Sequence, residues 1–348
     1  SDRRFGQIFN FQHITDVAAP GPQFGSTCGV LSCAVWMESA VMTYLAKAAA
    51  QVDGAHAFEV FCTPALSCLR TPDHDLLTQR ARYHLRSAEW RRIRTSAYEI
   101  QTYTYWPSNE PVASVLLVHG WTGEAAFMGA FAERLRRAGY RAVIMDMPAH
   151  GQSEGREASL FDCAQAIVDV AEALGDVEFA LGHSIGGMAL LTAGEGRYPL
   201  RNAYSFQAYV LVAMPDAISD VTRKFGAGLG LNAAAQRVFE RRLEVLARRR
   251  IADFSGTTLL TATGRPTLLI HARDDAEVPF ACASNMAQAA PKVRLQAFDG
   301  GGHRAILYAP PAIRAAVTFL DAQPRPMVGG GHDAVPPRAW QSRQQHHA

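Results

Sequence analysis

Residues 178–187 read EFALGHSIGG, and the expected fold is built around them. A short apolar run ends at Gly182, Ser184 follows two residues later, and two more glycines open a helix-like run at 188–191. The pattern G-x-S-x-G between a strand and a helix predicts a tight turn that lifts the serine hydroxyl above the edge of a sheet. Serine at such a turn takes strained backbone angles, so the residues two before and two after it must lack side chains.

Strands and helices alternate on both sides of this turn, from about residue 112 onwards. Such alternation is typical of a parallel sheet covered by helices on both faces. A strand-like pair within 97–105 predicts antiparallel strands at the start of the sheet. The other expected strands cover 115–119, 141–146, 179–182, 208–214, 266–271 and 292–298, and the expected helices between or after them cover 127–138, 160–174 and 311–320.

The chain of 348 residues suits one large α/β domain with additions. The segment 216–263 breaks the alternation and predicts a helical cap inserted after the sixth strand. We expect four parts: an N-terminal extension at 1–95 that is largely helical, a core at 96–215 and 264–321, the cap at 216–263, and a disordered tail at 322–348 that is rich in Pro, Gly, Gln and His.

The composition gives no support for a nucleic-acid-binding or a metal-binding protein. Hydrophobic residues make up 48% and charged residues 19%, as in a globular protein with an ample core, and a net charge of +2 gives no reason to expect a nucleic-acid partner. The six cysteines show no CxxC pair, and the histidines of the tail lack a matching ligand set, so no metal and no cofactor are expected. No secretory signal is visible at the start of the sequence, which leads to the expectation of a cytoplasmic protein.

The segment 30–50 is almost continuously apolar, but Glu38 and Lys47 interrupt it. A membrane-spanning helix needs about 20 residues with few or no charges. The alternatives are therefore a membrane span, a helix that contacts a membrane surface or a partner, and a helix packed on the main domain. The two charges favour the last of these.

Three residues that follow the turn in the chain are candidates for the acid and the base that Ser184 needs. A serine hydroxyl is a poor nucleophile near neutral pH, so it needs a base within hydrogen-bond reach and a third group that orients the base. Asp274 and Asp275 follow one expected strand, and His303 lies in a glycine-rich loop after the next. The carboxyl ends of parallel strands meet at one edge of a sheet, so these groups and Ser184 are expected to lie together.

Four motifs in combination resemble the α/β-hydrolase family over about residues 112–320. They are HGWTG at 119–123, DMPAHGQS at 146–153, GHSIG at 182–186, and HARDDAEVP at 271–279, in which Ala272 replaces the family's usual glycine. The resemblance implies the α/β-hydrolase fold, with a mostly parallel central sheet and helices on both faces, and a serine hydrolase of esterase or lipase type.

The resemblance also implies a role for each matching residue. Ser184 would be the nucleophile and His303 the general base and later the acid. Asp275 aligns with the family's acid because the Val-Pro pair that follows fixes the register, while Asp274 remains the alternative. The backbone amides of Trp121 and Ile185 would bind the oxyanion.

Other histidines surround the expected site. His119 and His183 are candidate pocket residues together with Trp121, and we expect the two imidazoles to hold loops by hydrogen bonds rather than to transfer protons. His150 and His271 are interpreted as structural residues.

The predicted function is cleavage of a carboxylic ester through an acyl-enzyme. The apolar face of the cap suggests a small-molecule substrate with an apolar acyl group. A serine rather than an aspartate at 184 argues against the epoxide hydrolases and haloalkane dehalogenases that share this fold. Acyl transfer to an alcohol or thiol, a peptidase or thioesterase activity, and a non-catalytic ligand-binding protein remain the alternatives.

Overall fold

The computed structural model describes residues 53–66 and 81–324. The apolar stretch at 30–50 and nearly all of the expected tail at 322–348 lie outside the described residues. Among the residues that are described, no helix combines the length and the apolar character needed to cross a bilayer.

An eight-stranded sheet forms the centre of the described part, in the order β1-β2-β4-β3-β5-β6-β7-β8. Strand β2 runs antiparallel to both β1 and β4, and every other neighbouring pair is parallel, so the predicted mostly parallel sheet is confirmed. The strands are β1 (Glu89–Arg94), β2 (Glu99–Tyr105), β3 (Ser114–Val118), β4 (Arg141–Met145), β5 (Phe179–His183), β6 (Ala208–Val212), β7 (Thr267–Ala272) and β8 (Val293–Phe298).

Helices cover both faces of the sheet. The helices of the described residues are α1 (Gly54–Phe61), α2 (Gly129–Arg137), α3 (Leu160–Leu174), α4 (Ile185–Glu195), α5 (Ile218–Gly228), α6 (Ala233–Ala247), α7 (Gly256–Thr263), α8 (Phe280–Ala289), α9 (Gly302–Ala305) and α10 (Pro310–Asp321). Short 3-10 turns lie at Pro64–Leu66, Arg82–Ser87, Ala125–Met128, Ile251–Asp253 and Ile306–Tyr308. Helices α2 and α10 bury one apolar core against the sheet, and α3, α4, α7 and α8 bury a second core on the opposite face. Because both faces are covered, the central strands read as continuous apolar runs.

Helix α3 shows how the local sequence sets these boundaries. At its start, Ser159 and Asp162 each accept a hydrogen bond from the other's backbone N–H, so two of the amides that the first turn leaves unpaired are satisfied. At its end, Gly175 takes a φ of 81°, which a residue with a side chain rarely adopts. The structure thus gives the helix at the predicted bounds, 160–174.

The sheet begins earlier than the sequence indicated. Strand β1 lies within the range 1–95 that we assigned to a largely helical extension, and it pairs with β2 along its whole length. Only Ile93 is buried in this edge strand, and arginines occupy three of its six positions. A strand exposed on both faces has no alternation of polar and apolar residues, so its period could not be recognised.

The helical cap lies between β6 and β7, after the sixth strand as predicted, but it is shorter than the segment 216–263. Helix α7 packs against α4 and α8, and its Leu259 and Leu260 are buried in the core, so only α5, α6 and the turn after them form the cap. Helix α6 ends at Ala247, and its Val238 is 49% exposed.

Candidate active site

The turn between β5 and α4 carries Ser184. Its backbone angles, φ 52° and ψ −125°, lie in a region that residues with side chains rarely adopt. A residue held in such a conformation costs on the order of 1–3 kcal/mol, and the surrounding structure must supply that energy. The strained turn predicted from the sequence is therefore present, and Ser184 lines a cavity between the cap and the sheet.

The neighbouring glycines let the backbone segments around this turn approach each other closely. A Cβ atom at Gly182 would lie 2.7 Å from Cα of Gly187, and one at Gly186 would lie 2.7 Å from the carbonyl oxygen of Val118. Real Cβ atoms do not come this close to backbone atoms. Both positions therefore require glycine for packing, as the motif predicted.

Three side chains form a continuous chain of hydrogen bonds. Ser184 Oγ lies 3.0 Å from His303 Nε2, and His303 Nδ1 lies 2.9 Å from Asp275 Oδ2. All three side chains are buried. Asp274, the alternative acid, does not join this chain but accepts the backbone N–H of Gly302 instead.

The carboxylate of Asp275 is held by several donors. Its Oδ1 accepts the backbone N–H groups of Glu277 and Val278 at 2.9 and 2.8 Å, which leaves Oδ2 for His303. Burial on its own raises the pKa of this carboxyl, but the hydrogen bond and charge of His303 and the two backbone donors outweigh burial and lower the pKa below its ordinary value. The carboxylate is therefore ionised at neutral pH and fixes the orientation of the imidazole.

Two further imidazoles contact this chain. His183 Nε2 lies 2.9 Å from the carbonyl oxygen of His303, and burial, with the nearby His303 second, lowers the pKa of His183 well below its ordinary value. His271 Nε2 lies 2.9 Å from the carbonyl oxygen of Val278 and 3.4 Å from Asp275 Oδ2, and burial lowers its pKa as well. Both rings are therefore neutral, and each donates its Nε2–H to a backbone carbonyl.

The loop at 120–123 is held by two more histidines. His119 Nε2 accepts the backbone N–H of Met147 at 3.0 Å, and its Nδ1 donates to the Gly120 carbonyl at 2.8 Å. His150 Nε2 accepts the N–H of Thr122 at 3.3 Å. His119 was expected to line the pocket, but it is fully buried and is not among the residues that line the cavity.

The two residues whose backbone amides are expected to bind an oxyanion line the same cavity as Ser184. Helix α4 begins at Ile185, so the N–H of Ile185 has no carbonyl partner within the helix, and the helix dipole adds partial positive charge there. Trp121 lies in the loop after β3 and lines the cavity together with Ile185. His183 lines the cavity too.

The cavity above Ser184 has a volume of about 770 Å³ and lies between the cap and the sheet. Aromatic and aliphatic side chains from α1, α3, the cap and the loop after β3 make up most of its wall. They include Phe61, Trp121, Phe127, Leu160, Phe161, Ile218, Val221, Phe225, Leu243 and Phe254. Sequence reasoning missed Phe61 and Phe161 as site residues. Only their apolar character was visible, and buried core residues share it.

A buried ion pair links the cap to α4 beside this cavity. Arg249, in the turn after α6, contacts both carboxylate oxygens of Glu195 at 3.0 Å, and its guanidinium lies 4.3 Å from the ring centroid of Phe254. The side chain of Glu195 is 3% exposed and that of Arg249 15%. The described residues hold no group of three or more His, Cys, Asp or Glu arranged to bind a metal ion.

A serine hydroxyl, an imidazole and a carboxylate in this arrangement can act as nucleophile, base and orienting acid. The model of the alpha/beta hydrolase family matches residues 115–317, which is more than half of the chain. The chain therefore belongs to the α/β hydrolase family, in which both its fold and the position of the serine turn place it.

Individual relatives are more distant. Phospholipase YtpA of Bacillus subtilis (strain 168) is 29% identical over 92 residues, which span 25% of this chain and 36% of that protein. Est1E of Butyrivibrio proteoclasticus, solved with ferulic acid bound, is 21% identical with a TM-score of 0.55 and covers 66% of this chain and 97% of its own. A bacterial membrane phospholipase A, a virulence factor, is 18% identical with a TM-score of 0.52 over 84% of this chain and 97% of its own. The two structures share the fold.

Proposed function

We propose that this protein is a serine hydrolase that cleaves carboxylic esters through an acyl-enzyme intermediate. The observation that carries the proposal is the unbroken chain of hydrogen bonds from Ser184 Oγ through His303 to Asp275, with distances of 3.0 and 2.9 Å. In this proposal Ser184 is the nucleophile, His303 the general base and then the general acid, and Asp275 the group that orients the imidazole.

The first half of the reaction acylates the serine. His303 Nε2 takes the proton of Ser184 Oγ while that oxygen attacks the carbonyl carbon of the ester. The oxyanion that develops accepts hydrogen bonds from the backbone amides of Ile185 and Trp121. The tetrahedral intermediate then collapses: the bond to the alkoxide breaks, and His303 gives its proton to the leaving alcohol.

The second half releases the acid. His303 takes a proton from a water molecule that attacks the acyl carbon, and the same two amides stabilise the second oxyanion. The bond to Ser184 Oγ then breaks, and His303 returns the proton to the serine. At the end of the cycle Ser184 and His303 have the same protonation as at the start, so the enzyme is ready for the next ester.

The cavity supports a substrate with an apolar acyl group. Most of the surface that lines the cavity is apolar, with phenylalanine, leucine and valine side chains among the contributors, and apolar surface is the favourable place for an acyl chain to leave water. The similarity to a phospholipase over part of the chain is in keeping with this substrate class.

A panel of nitrophenyl esters from acetyl to palmitoyl tests the proposal. We expect hydrolysis with a preference for acyl groups longer than acetyl, and a loss of at least about 10⁴-fold in kcat for Ser184→Ala with an unchanged unfolding midpoint. Equal kcat/KM for every acyl length would contradict the apolar acyl site. Undiminished hydrolysis by Ser184→Ala would contradict the assignment of the nucleophile.

A further inference from the structure

We propose that α1, which precedes the sheet in the chain, forms one wall of the substrate cavity, and that Phe61 at its C-terminal end sets the size of the acyl group that fits. This inference deepens the proposed function and rests on it. Phe61 lines the same cavity as Ser184, although the two residues are far apart in the sequence.

The ring of Phe61 lies between the loop after β3 and the cap. It stacks on Trp121 with ring centroids 6.1 Å apart and planes inclined by 18°. It meets Phe225 of α5 and Phe239 of α6 edge to face, at 5.0 and 5.3 Å. These are the stacked and edge-to-face arrangements that aromatic pairs prefer. Phe61 thus fills the space between the expected oxyanion loop and the cap.

Contacts that do not involve this ring hold α1 in place. At its N-terminal end, Gly54 packs on the backbone of α6, where a Cβ atom would lie 2.7 Å from the amide nitrogen of Phe239. Ala57 is fully buried in the small apolar cluster that α1 forms with α5 and α6. At its C-terminal end, the carbonyl of Cys62 accepts the backbone N–H of Ala158 at 2.8 Å. The helix is therefore fixed to the cap at one end and to the core at the other.

Because α1 is held independently, removing the ring of Phe61 opens space in the cavity without releasing the helix. The space adjoins Trp121, next to the expected position of the ester carbonyl. An acyl group with a branch or ring then gains room, whereas a small acyl group loses an apolar contact. A change of one methylene in an apolar pocket alters selectivity by about 10–200-fold.

The test compares kcat/KM for two nitrophenyl esters, one with a small unbranched acyl group and one with a bulky branched acyl group. We expect Phe61→Ala to raise the ratio of bulky to small by about tenfold or more, and Phe61→Trp to lower it. Phe58→Ala is the matched control. Phe58 lies on the same helix, but its ring faces Arg242 outside the cavity, so the ratio is expected to stay unchanged.

Suppose that Phe61→Ala still hydrolyses esters and still becomes acylated at Ser184, but keeps the native ratio of kcat/KM for the bulky ester to kcat/KM for the small one. That result would overturn the role of Phe61 and leave the proposed function standing. A similar shift in Phe58→Ala would also overturn it, because the effect would then come from the helix as a whole. If the alanine variant does not fold, Phe61→Leu carries the same prediction with a smaller shift. An inactive native protein whose Ser184 is never acylated would instead contradict the proposed function.

Discussion

Asp275 shows at the residue scale how one side chain serves two purposes. One carboxylate oxygen closes the loop after β7 by accepting two backbone N–H groups, and the other accepts a hydrogen bond from His303. The loop and the imidazole are thus positioned by the same group. Because the neighbouring Asp274 binds the backbone of Gly302 instead, the two aspartates can be distinguished by a matched pair of variants.

Asp275→Asn is expected to lower kcat by about 10⁴-fold while the fold stays intact. The amide oxygen can still accept the two backbone N–H groups, but the amide nitrogen offers a donor where His303 needs an acceptor, so the imidazole is held in the wrong tautomer. Asp274→Asn keeps an oxygen for Gly302 and should stay within a few-fold of the native kcat. Steady-state kinetics with one ester checks both, and equal losses in the two variants would contradict the assignment of Asp275.

The buried histidines predict a dependence of stability on pH. His183 and His271 have pKa values below the ordinary value in the folded state, so the unfolded chain binds protons more readily as the pH falls through the ordinary histidine pKa. The free energy of unfolding therefore has its full value at pH values above the ordinary histidine pKa. At lower pH it should decrease by up to about 1.4 kcal/mol per pH unit for each histidine.

Urea unfolding between pH 5 and pH 8 measures this dependence. His183→Gln removes one titrating group and keeps an amide that can donate to the His303 carbonyl, so the slope below the histidine pKa should become shallower. A slope identical to that of the native protein would show that the protonation of His183 does not change on unfolding.

At the scale of elements, the cap is tied to the core by the Arg249–Glu195 pair. Helix α4 begins directly after the serine turn and ends at Glu195. The pair therefore connects this helix to the cap above it. Removing Arg249 leaves the buried carboxylate of Glu195 with only the exposed Arg197, at 3.6 Å, as a charged partner, so most of the compensation for its charge is lost. Exposed pairs contribute much less, because water screens them.

Arg249→Met is expected to lower the free energy of unfolding by about 3 kcal/mol. Arg250→Met, the adjacent control, breaks an exposed pair with Asp253 and should cost less than about 1 kcal/mol. Chemical denaturation of both variants provides the measurement. Equal losses would mean that the cap is not anchored through Glu195.

The contact between α1 and α6 leads to a second prediction at this scale. Gly54→Ala places a Cβ atom against the carbonyl oxygen of Ala235, so the helices must separate at a cost of about 1–3 kcal/mol. Gly228→Ala is the control, because nothing lies within 4 Å of a Cβ atom there, and alanine favours a helix over glycine. The unfolding midpoint should fall in the first variant and not in the second.

At the scale of the whole molecule, the parts predictable from sequence are those whose signals are local. The serine turn, the strand before it and the helix after it follow one another directly, and the glycines that permit their close approach are within the same ten residues. Strands buried on both faces are continuous apolar runs, and for this reason the parallel part of the sheet was recognisable.

The parts that sequence could not give depend on contacts between distant segments. Phe61 becomes a cavity residue only because α1 packs on α6, and no local period of the chain encodes that contact. Likewise, His119 lies beside the motif in sequence but under the loop in space, where it binds Met147. Strand β1 was missed because an edge strand needs no buried face.

In the proposed reaction, Ser184 becomes covalently acylated during turnover. The test stops the hydrolysis of nitrophenyl butyrate during turnover, digests the protein and measures the masses of its peptides. We expect a butyryl group on the peptide that carries Ser184 in the native protein, and none on that peptide in Ser184→Ala. Turnover without acylation of this peptide, or with the acyl group on another residue, would contradict it.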